Sequence, residues 1–384
     1  MGCGVAAGRP PVHAVPQHDR EPNSGVGAMQ AVLTVDLSAV AANWRLLRDR
    51  AAPGACAGVV KADGYGLGAA SVGRALLAAG CRHFFVAHLA EGLALRAALG
   101  PGPMVAVLNG FAPGEAGEAG LLPVLNGPGD VAAWAAAARR AGRRLPALLH
   151  LDTGMARLGL APAEAEALAA DPAALEGLDL RWVMTHLACA DDPAHALNAA
   201  QAGRFAALRA RLPAAPTSLA NSSGLFLGPG FASDLARPGC ALYGINPTPG
   251  QPNPMRQAVR LDAPVLQVRE IPAGTPVGYG AGWAAPRTSR IATVAAGYAD
   301  GYLRSLSGRA IGVIAGRPVP LVGRVSMDLI TFDVTDLPMV APGDRVQLIG
   351  PGNTPDEVAE RAGTIGYEVL TGLGARYARE YVPA

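Results

Sequence analysis

Residues 56–100, "CAGVVKADGYGLGAASVGRALLAAGCRHFFVAHLAEGLALRAALG", decide the fold. Twice in succession a short apolar run, "AGVV" and then "HFFVAHL", gives way to the helix-like stretches "AASVGRALLAAG" and "AEGLALRAAL". Continuous apolar runs suit strands buried on both faces, and the switch to a 3.6-residue period marks successive βα units around a parallel sheet. The pattern extends outward. "PMVAVL" ends at a glycine turn, "LPVLN" precedes "DVAAWAAAARRAG", "PALLHLD" precedes "PAEAEALAADPAAL", and "LRWVMTHLA" precedes "ALNAAQAGRFAALRARL". Seven or eight such units in roughly 210 residues predict a (β/α)8 TIM barrel over 32–246, not an open doubly wound sheet.

Beyond about Asn246 the texture changes. "APVLQVREIPAGTPVGYG", "RIATVAAGY", "AIGVIAGRPVPLVGRVSMDLITFDV" and "DRVQLIG" are strand-like segments punctuated by glycine and proline, so 247–384 is expected to be a mostly β domain. Thr354, Pro355 and Glu357 predict the N-terminus of a closing helix, as cap, first-turn proline and capping-box glutamate. Residues 1–31 are expected to be a disordered tail, or to begin upstream of a true start at Met29. The first 28, with Arg9, His13, His18, Asp19, Arg20 and several prolines, contain no apolar core of a signal peptide.

Composition excludes several classes. A formal net charge of +2 with 16% charged residues provides no basic stripe, so nucleic acid is not an expected partner. Five cysteines without CxxC spacing argue against a disulfide framework and against a zinc site, and no metal is expected; a reducing cytoplasm fits. No stretch of roughly 18 uninterrupted apolar residues predicts a membrane span.

Lys61 is the only lysine in the chain; every other one of the 32 Lys+Arg positions is arginine. A lone lysine reads first as a solvated surface charge. At the end of a barrel strand it reads second as an amine that desolvation can deprotonate for attack on a carbonyl. His186 alone reads as a core histidine, and Asn221, Ser222, Tyr65 and Tyr367 alone as turn or core residues. Other motifs at strand ends therefore have to decide.

"VVKADGYGLGA", followed in order by "LDTGMARLGL", "THLACADD", "ANSSG", "RPGCALYG", "VGYGAGW", "AAGYADGY", "GRVSMD" and "GYEVLTGL", resembles the alanine racemases, a fold-type III pyridoxal-phosphate family. The resemblance covers nearly everything from Val32 to Tyr381. It implies that Lys61 carries pyridoxal 5'-phosphate and serves as one acid/base. Tyr65, Asn221, Ser222, the backbone around Gly239 and Cys240, and Tyr367 match phosphate contacts. Arg237 matches the arginine facing the pyridine nitrogen; a guanidinium does not give up its proton, so the ring stays a weak electron sink. Arg157 matches the fork that holds the substrate carboxylate and a cofactor oxygen.

Racemisation needs acid/base groups on both faces of a planar intermediate. The resemblance assigns the second to Tyr279, assisted by His186, and implies a head-to-tail homodimer in which Tyr279, Tyr298, Met327 and Asp328 reach the other subunit's site. It places Tyr298, Tyr367, Arg324 and Asp191 at the mouth, and Met327 beside the substrate. The implied reaction is interconversion of L- and D-alanine, supplying peptidoglycan. A broader amino-acid racemase, for example for serine, remains open. A decarboxylase of the same architecture would pair the pyridine with a carboxylate where this chain has Arg237, and a non-catalytic cofactor carrier would lack the β domain bearing Tyr279.

Two positions depart from the family pattern. His150 stands where many relatives carry a carbamylated lysine, two residues before Asp152; an imidazole can accept a hydrogen bond from Arg157 but brings no anion. Ser326 stands where cysteine is common, and "KADGYGLG" replaces the usual Asn-Ala and His of that segment.

Overall fold

The computed structural model describes residues 29–384, so the expected tail lies, as far as residue 28, outside the described residues. Parallel strands Gly58–Val59, His83–Val86, Met104–Val107, Leu122–Leu125, Leu145–His150, Leu178–Met184 and Thr217–Ser218 pair in chain order. An eighth, Leu235–Ala236, pairs in parallel with Ala55–Cys56, immediately before the first of them. Ser218 Oγ donates to Leu235 O at 2.6 Å and Arg237 N to Ala220 O at 2.8 Å, drawing the seventh and eighth strands together. The predicted barrel is therefore present.

Alternation along the strands sorts the side chains. Leu148 points into the barrel with Val59, Phe85, Val124, Met184 and Leu235, whereas Ala147 and Leu149 face the outer helices. Both faces are apolar, which is why these strands read as continuous runs. Helix Pro128–Ala141 starts with proline and stops at Gly142, whose φ of 62° is left-handed. After Met104–Val107 the glycine- and proline-rich segment forms turns up to residue 121 instead of a helix, as the sequence indicates.

The C-terminal region builds an eight-stranded sheet around the long strand Val259–Ile271. One of its members comes from the other end of the chain. Val32–Asp36 pairs antiparallel with that strand, Val32 opposite Asp262, and parallel with Ala378–Val382. Leu33 and Val35 are fully buried in this sheet, and Asp36 then caps helix Leu37–Ala51 through Ala39 N at 2.9 Å. The chain thus leaves the β region, winds the barrel and returns, and one apolar core runs through both parts. Thr354 opens helix Pro355–Ala362 as predicted, with Thr354 N donating to Glu357 Oε2 at 2.7 Å.

Candidate active site

Lys61 follows strand Gly58–Val59 and opens an unusual turn. Ala62 (φ 53°), Asp63 (φ 52°), Gly64 (φ 64°), Tyr65 (φ 57°) and Gly66 (φ 81°) are all left-handed. For a residue with a Cβ this conformation costs about 1–2 kcal/mol. Hydrogen bonds offset it: Gly64 N to Val60 O at 2.9 Å, Gly66 N to Ala62 O at 2.7 Å and Ala69 N to Asp63 Oδ1 at 2.8 Å. Gly66 has no alternative, since a Cβ there would lie 2.5 Å from Leu370 O in the C-terminal region.

The turn delivers Lys61 and Tyr65 to a cavity of about 340 Å³ at the C-terminal ends of the barrel strands. Arg157, His186, Asp191, Asn221, Ser222, Arg237, Gly239, Cys240 and Tyr367 line it too. Burial, and then Arg157, lower the basicity of the Lys61 amine, while Glu91 works to raise it. Arg237 lies beneath, nearly inaccessible, with Nη2 donating to Thr185 O at 2.6 Å and Nη1 donating to Ser218 Oγ. Burial brings its pKa down to about 10, still a cation at neutral pH. His186 is held well below the ordinary histidine range by burial and then by Arg237, so its ring is neutral.

The opposite wall is built of hydroxyls and amides. Tyr65 rests on Tyr243 with ring centroids 4.7 Å apart and meets the edge of Tyr367 at 6.5 Å. Ser222 Oγ accepts from Gly239 N at 3.0 Å and Ala241 N at 3.3 Å, and Asn221 Oδ1 accepts from Gly224 N at 2.9 Å. A Cβ on Gly239 would sit 2.3 Å from the Tyr65 hydroxyl. The glycine therefore lets the tyrosine reach across.

Arg157 is carried by a loop that Asp152 folds. Asp152 Oδ1 accepts from Gly154 N and Met155 N, both at 2.9 Å, and Oδ2 accepts from Ala156 N at 3.1 Å. Burial works to raise the pKa of this carboxyl, but the three amides together with His150 hold it below the usual carboxylate value. Strand alternation points His150 inward with Leu148. Its Nδ1 lies 2.8 Å from Asn126 Oδ1, and burial, then Arg237, bring its pKa to about 4.

Five predicted residues do not line this cavity. Tyr279 lies in the short turn Tyr279–Ala281 and is 74% exposed; Met327 is 53% exposed and Tyr298 42%. The Arg324 guanidinium packs over the Tyr279 turn, 3.0 Å from where a Cβ on Gly280 would stand. Tyr298 N donates to Ser326 O and Ala299 N to Met327 O, both at 3.0 Å, while Asp328 accepts from Arg376 at 2.8 Å. Together they form an exposed face of the β region.

Comparison with known proteins places this geometry. The model of the alanine racemase N-terminal domain matches residues 35–247, and that of the alanine racemase C-terminal domain matches residues 258–381. The chain belongs to the alanine racemase family. An alanine racemase of Rhodospirillum rubrum is 56% identical over 357 residues, 91% of this chain and 96% of that protein. A protein of Mesorhizobium japonicum named as a catabolic alanine racemase is 54% identical over 360 residues, 92% of this chain and 94% of its own. The structure of alanine racemase from Bartonella henselae with covalently bound pyridoxal phosphate superposes with a TM-score of 0.88 at 42% identity, covering 92% of this chain and 99% of that one.

Within this alanine racemase fold, the structure adds residues that motif reading passed over. Asn126, the first residue after the strand Leu122–Leu125 that neighbours His150's own, settles the state of that imidazole. Glu91 ties the Lys61 turn to the neighbouring strand end, with Oε1 accepting from Ala62 N at 2.7 Å. Its sequence signal was available: a glutamate three residues beyond His88, the capping-box spacing before "LALRAAL". Among the described residues, no group of three or more His, Cys, Asp or Glu side chains is placed to hold a metal, and no helix is long and apolar enough to cross a membrane.

Proposed function

We propose that this chain interconverts L- and D-alanine with pyridoxal 5'-phosphate, using Lys61 and the Tyr279 of a second copy as acid/base groups on opposite faces of the substrate. One observation carries the reading: the chain's only lysine ends a barrel strand inside a cavity that also holds the buried cation Arg237. The side chains fit the cofactor. A primary amine, a fixed guanidinium and a wall of Tyr65, Ser222, Asn221 and Tyr367 match its aldehyde, ring nitrogen and phosphate, and the cavity is of small-molecule size.

When bound, the cofactor supplies an electron sink that acidifies the α-hydrogen of an amino acid. The chain's own residues do the rest. Lys61, its amine made less basic by burial and Arg157, holds or takes a proton at Cα from one face. Tyr279, exposed in one chain and outside its cavity, does so from the other face when a second copy brings it in. Arg157 forks onto the substrate carboxylate. Arg237, held by Thr185 O and Ser218 Oγ, would hold the cofactor's ring nitrogen by donating to it without giving up its own proton, which would keep the sink weak and favour prompt return of hydrogen to carbon. Tyr367 and Asp191 narrow the mouth from the cavity's own chain; Tyr298 and Arg324 do so, with Met327 flanking the substrate and Asp328 steadying that face, when the second copy brings them in.

The decisive experiment uses purified holoenzyme, L-alanine and deuterated water. Deuterium at Cα together with D-alanine supports the reading; neither would appear with a non-catalytic carrier, and loss of carbon dioxide would reassign the protein as a decarboxylase. The proposed role in the cell is cytoplasmic supply of D-alanine to peptidoglycan, tested by a D-alanine requirement on deletion of the gene.

A further inference from the structure

Glu91 occupies the third position of helix Leu89–Leu99, one strand around the barrel from Lys61. Its two carboxylate oxygens do different jobs. Oε2 accepts from Ala87 N at 2.7 Å and His88 N at 3.1 Å, closing the start of its own helix. Oε1 reaches out of that helix and accepts from Ala62 N at 2.7 Å. One side chain thus joins the loops that follow two neighbouring barrel strands.

Ala62 is the residue directly after Lys61 and the first of the left-handed series. Its Cβ makes that conformation unfavourable, so the turn persists only where surrounding bonds over-determine it. The bond to Glu91 acts at its first amide, where the direction of the Lys61 side chain is set.

We propose that Glu91 is the positioning residue of Lys61: it clamps the left-handed turn at Ala62 and sets a negative charge at the residue that follows the lysine. Burial and Arg157 press the amine toward its neutral form, His186 adds no cation because it is uncharged, and Glu91 opposes them. The amine is thereby kept able to hold a proton as well as release one, as two-way transfer at carbon requires. This inference rests on Lys61 being the acid/base amine proposed above, but its test reads the amine itself.

Because Lys61 is the sole lysine, an endoproteinase specific for lysine cuts the denatured chain once, and only where the amine is unmodified. Brief acylation of cofactor-free full-length protein across a pH series, followed by denaturation and cleavage, yields the titration of Lys61. Glu91→Gln is expected to move its midpoint down by about one pH unit. In the holoenzyme the same variant is expected to lower kcat several-fold with less change in KM. An unchanged midpoint would overturn the proposal, whatever the activity. Should the variant not fold, amide hydrogen exchange in the wild-type protein decides: strong protection of Ala62 N–H is expected, and free exchange there refutes the clamp. Failure of the parent reading looks different, since Lys61→Ala would then keep racemase activity and the bound-cofactor absorbance.

Discussion

Asn126 fixes the tautomer of His150. The amide nitrogen of Asn126 donates to Leu108 O at 3.0 Å and Val124 O at 3.1 Å, so its oxygen is the atom left to face His150 Nδ1 at 2.8 Å. An oxygen of that kind only accepts, hence Nδ1 carries the hydrogen and Nε2 is a bare lone pair. A Cβ on Gly159 would lie 3.1 Å from His150 Cδ2, so the Cδ2–Nε2 edge faces the loop that carries Arg157. Where the family pattern has an anion, this chain offers a neutral acceptor.

Replacing that acceptor should therefore weaken the substrate carboxylate fork more than the chemistry. Hydrogen bonds to charged groups contribute about 1.5–3 kcal/mol, so His150→Leu is expected to raise KM for alanine by roughly tenfold or more with a smaller change in kcat. His150→Gln, which can present an oxygen in the same space, should recover most of the loss. Steady-state kinetics in both directions check this; equal losses for Leu and Gln would remove the acceptor role.

The same histidine makes a pH prediction for stability. Its folded pKa of about 4 lies below the ordinary 6.5, and His186 is shifted in the same direction. Between those limits the unfolded chain binds more protons than the folded one, so stability rises with pH there. The contribution is fully present above about pH 6.5 and is lost on acidification toward pH 4, by on the order of 3 kcal/mol for His150. Urea midpoints should fall between pH 7.5 and 4.5, and His150→Gln should flatten that fall.

Gly239 is expected to be intolerant of a single methyl group. A Cβ there meets the Tyr65 hydroxyl at 2.3 Å, and Tyr65 cannot retreat because Tyr243 backs its ring at 4.7 Å. Gly239→Ala should weaken cofactor binding by tenfold or more through overpacking of about 1–3 kcal/mol. Titration of the cofactor-free protein, followed by visible absorbance, measures it. Tyr65→Phe in the same background, which deletes the clashing oxygen, should restore part of the affinity.

These relationships mark where sequence reading succeeds and where it stops. The βα periodicity predicted the barrel because each strand and helix declares itself locally, and eleven of the sixteen proposed site residues line one cavity, ten because strand ends gather there and Tyr367 because helix Gly366–Thr371 reaches it. The sheet partner of Val32–Asp36 was not legible, since its neighbours lie more than 200 residues away and pairing leaves no mark on five apolar-alternating residues. The left-handed series was half legible. Gly64 and Gly66 announce a tight turn, but Ala62, Asp63 and Tyr65 adopt the same conformation against their own preference, held by bonds from other segments. His150 was visible as a departure, yet its tautomer depends on Asn126, a side chain just past the end of the adjacent strand.

The sharpest prediction concerns the five residues that fall outside the cavity. If Tyr279 works on the site of a second copy, a site needs Lys61 from one chain and Tyr279 from the other. Lys61→Ala and Tyr279→Phe should each reduce racemisation by about 10²–10⁴-fold, the usual contribution of a positioned acid or base. Mixed and allowed to exchange, the two dead proteins form hybrids. In a hybrid one site combines both defects, while the other combines an intact Lys61 with an intact Tyr279. Random pairing in a two-fold dimer makes half of the dimers hybrid with one good site each, so activity should return to about a quarter of the wild-type value. Two bases within one chain, or a monomer, would give no recovery at any mixing ratio. Deuterium exchange separates the faces as well: Tyr279→Phe should still exchange the α-hydrogen of the enantiomer that presents it to Lys61, and should fail to invert it.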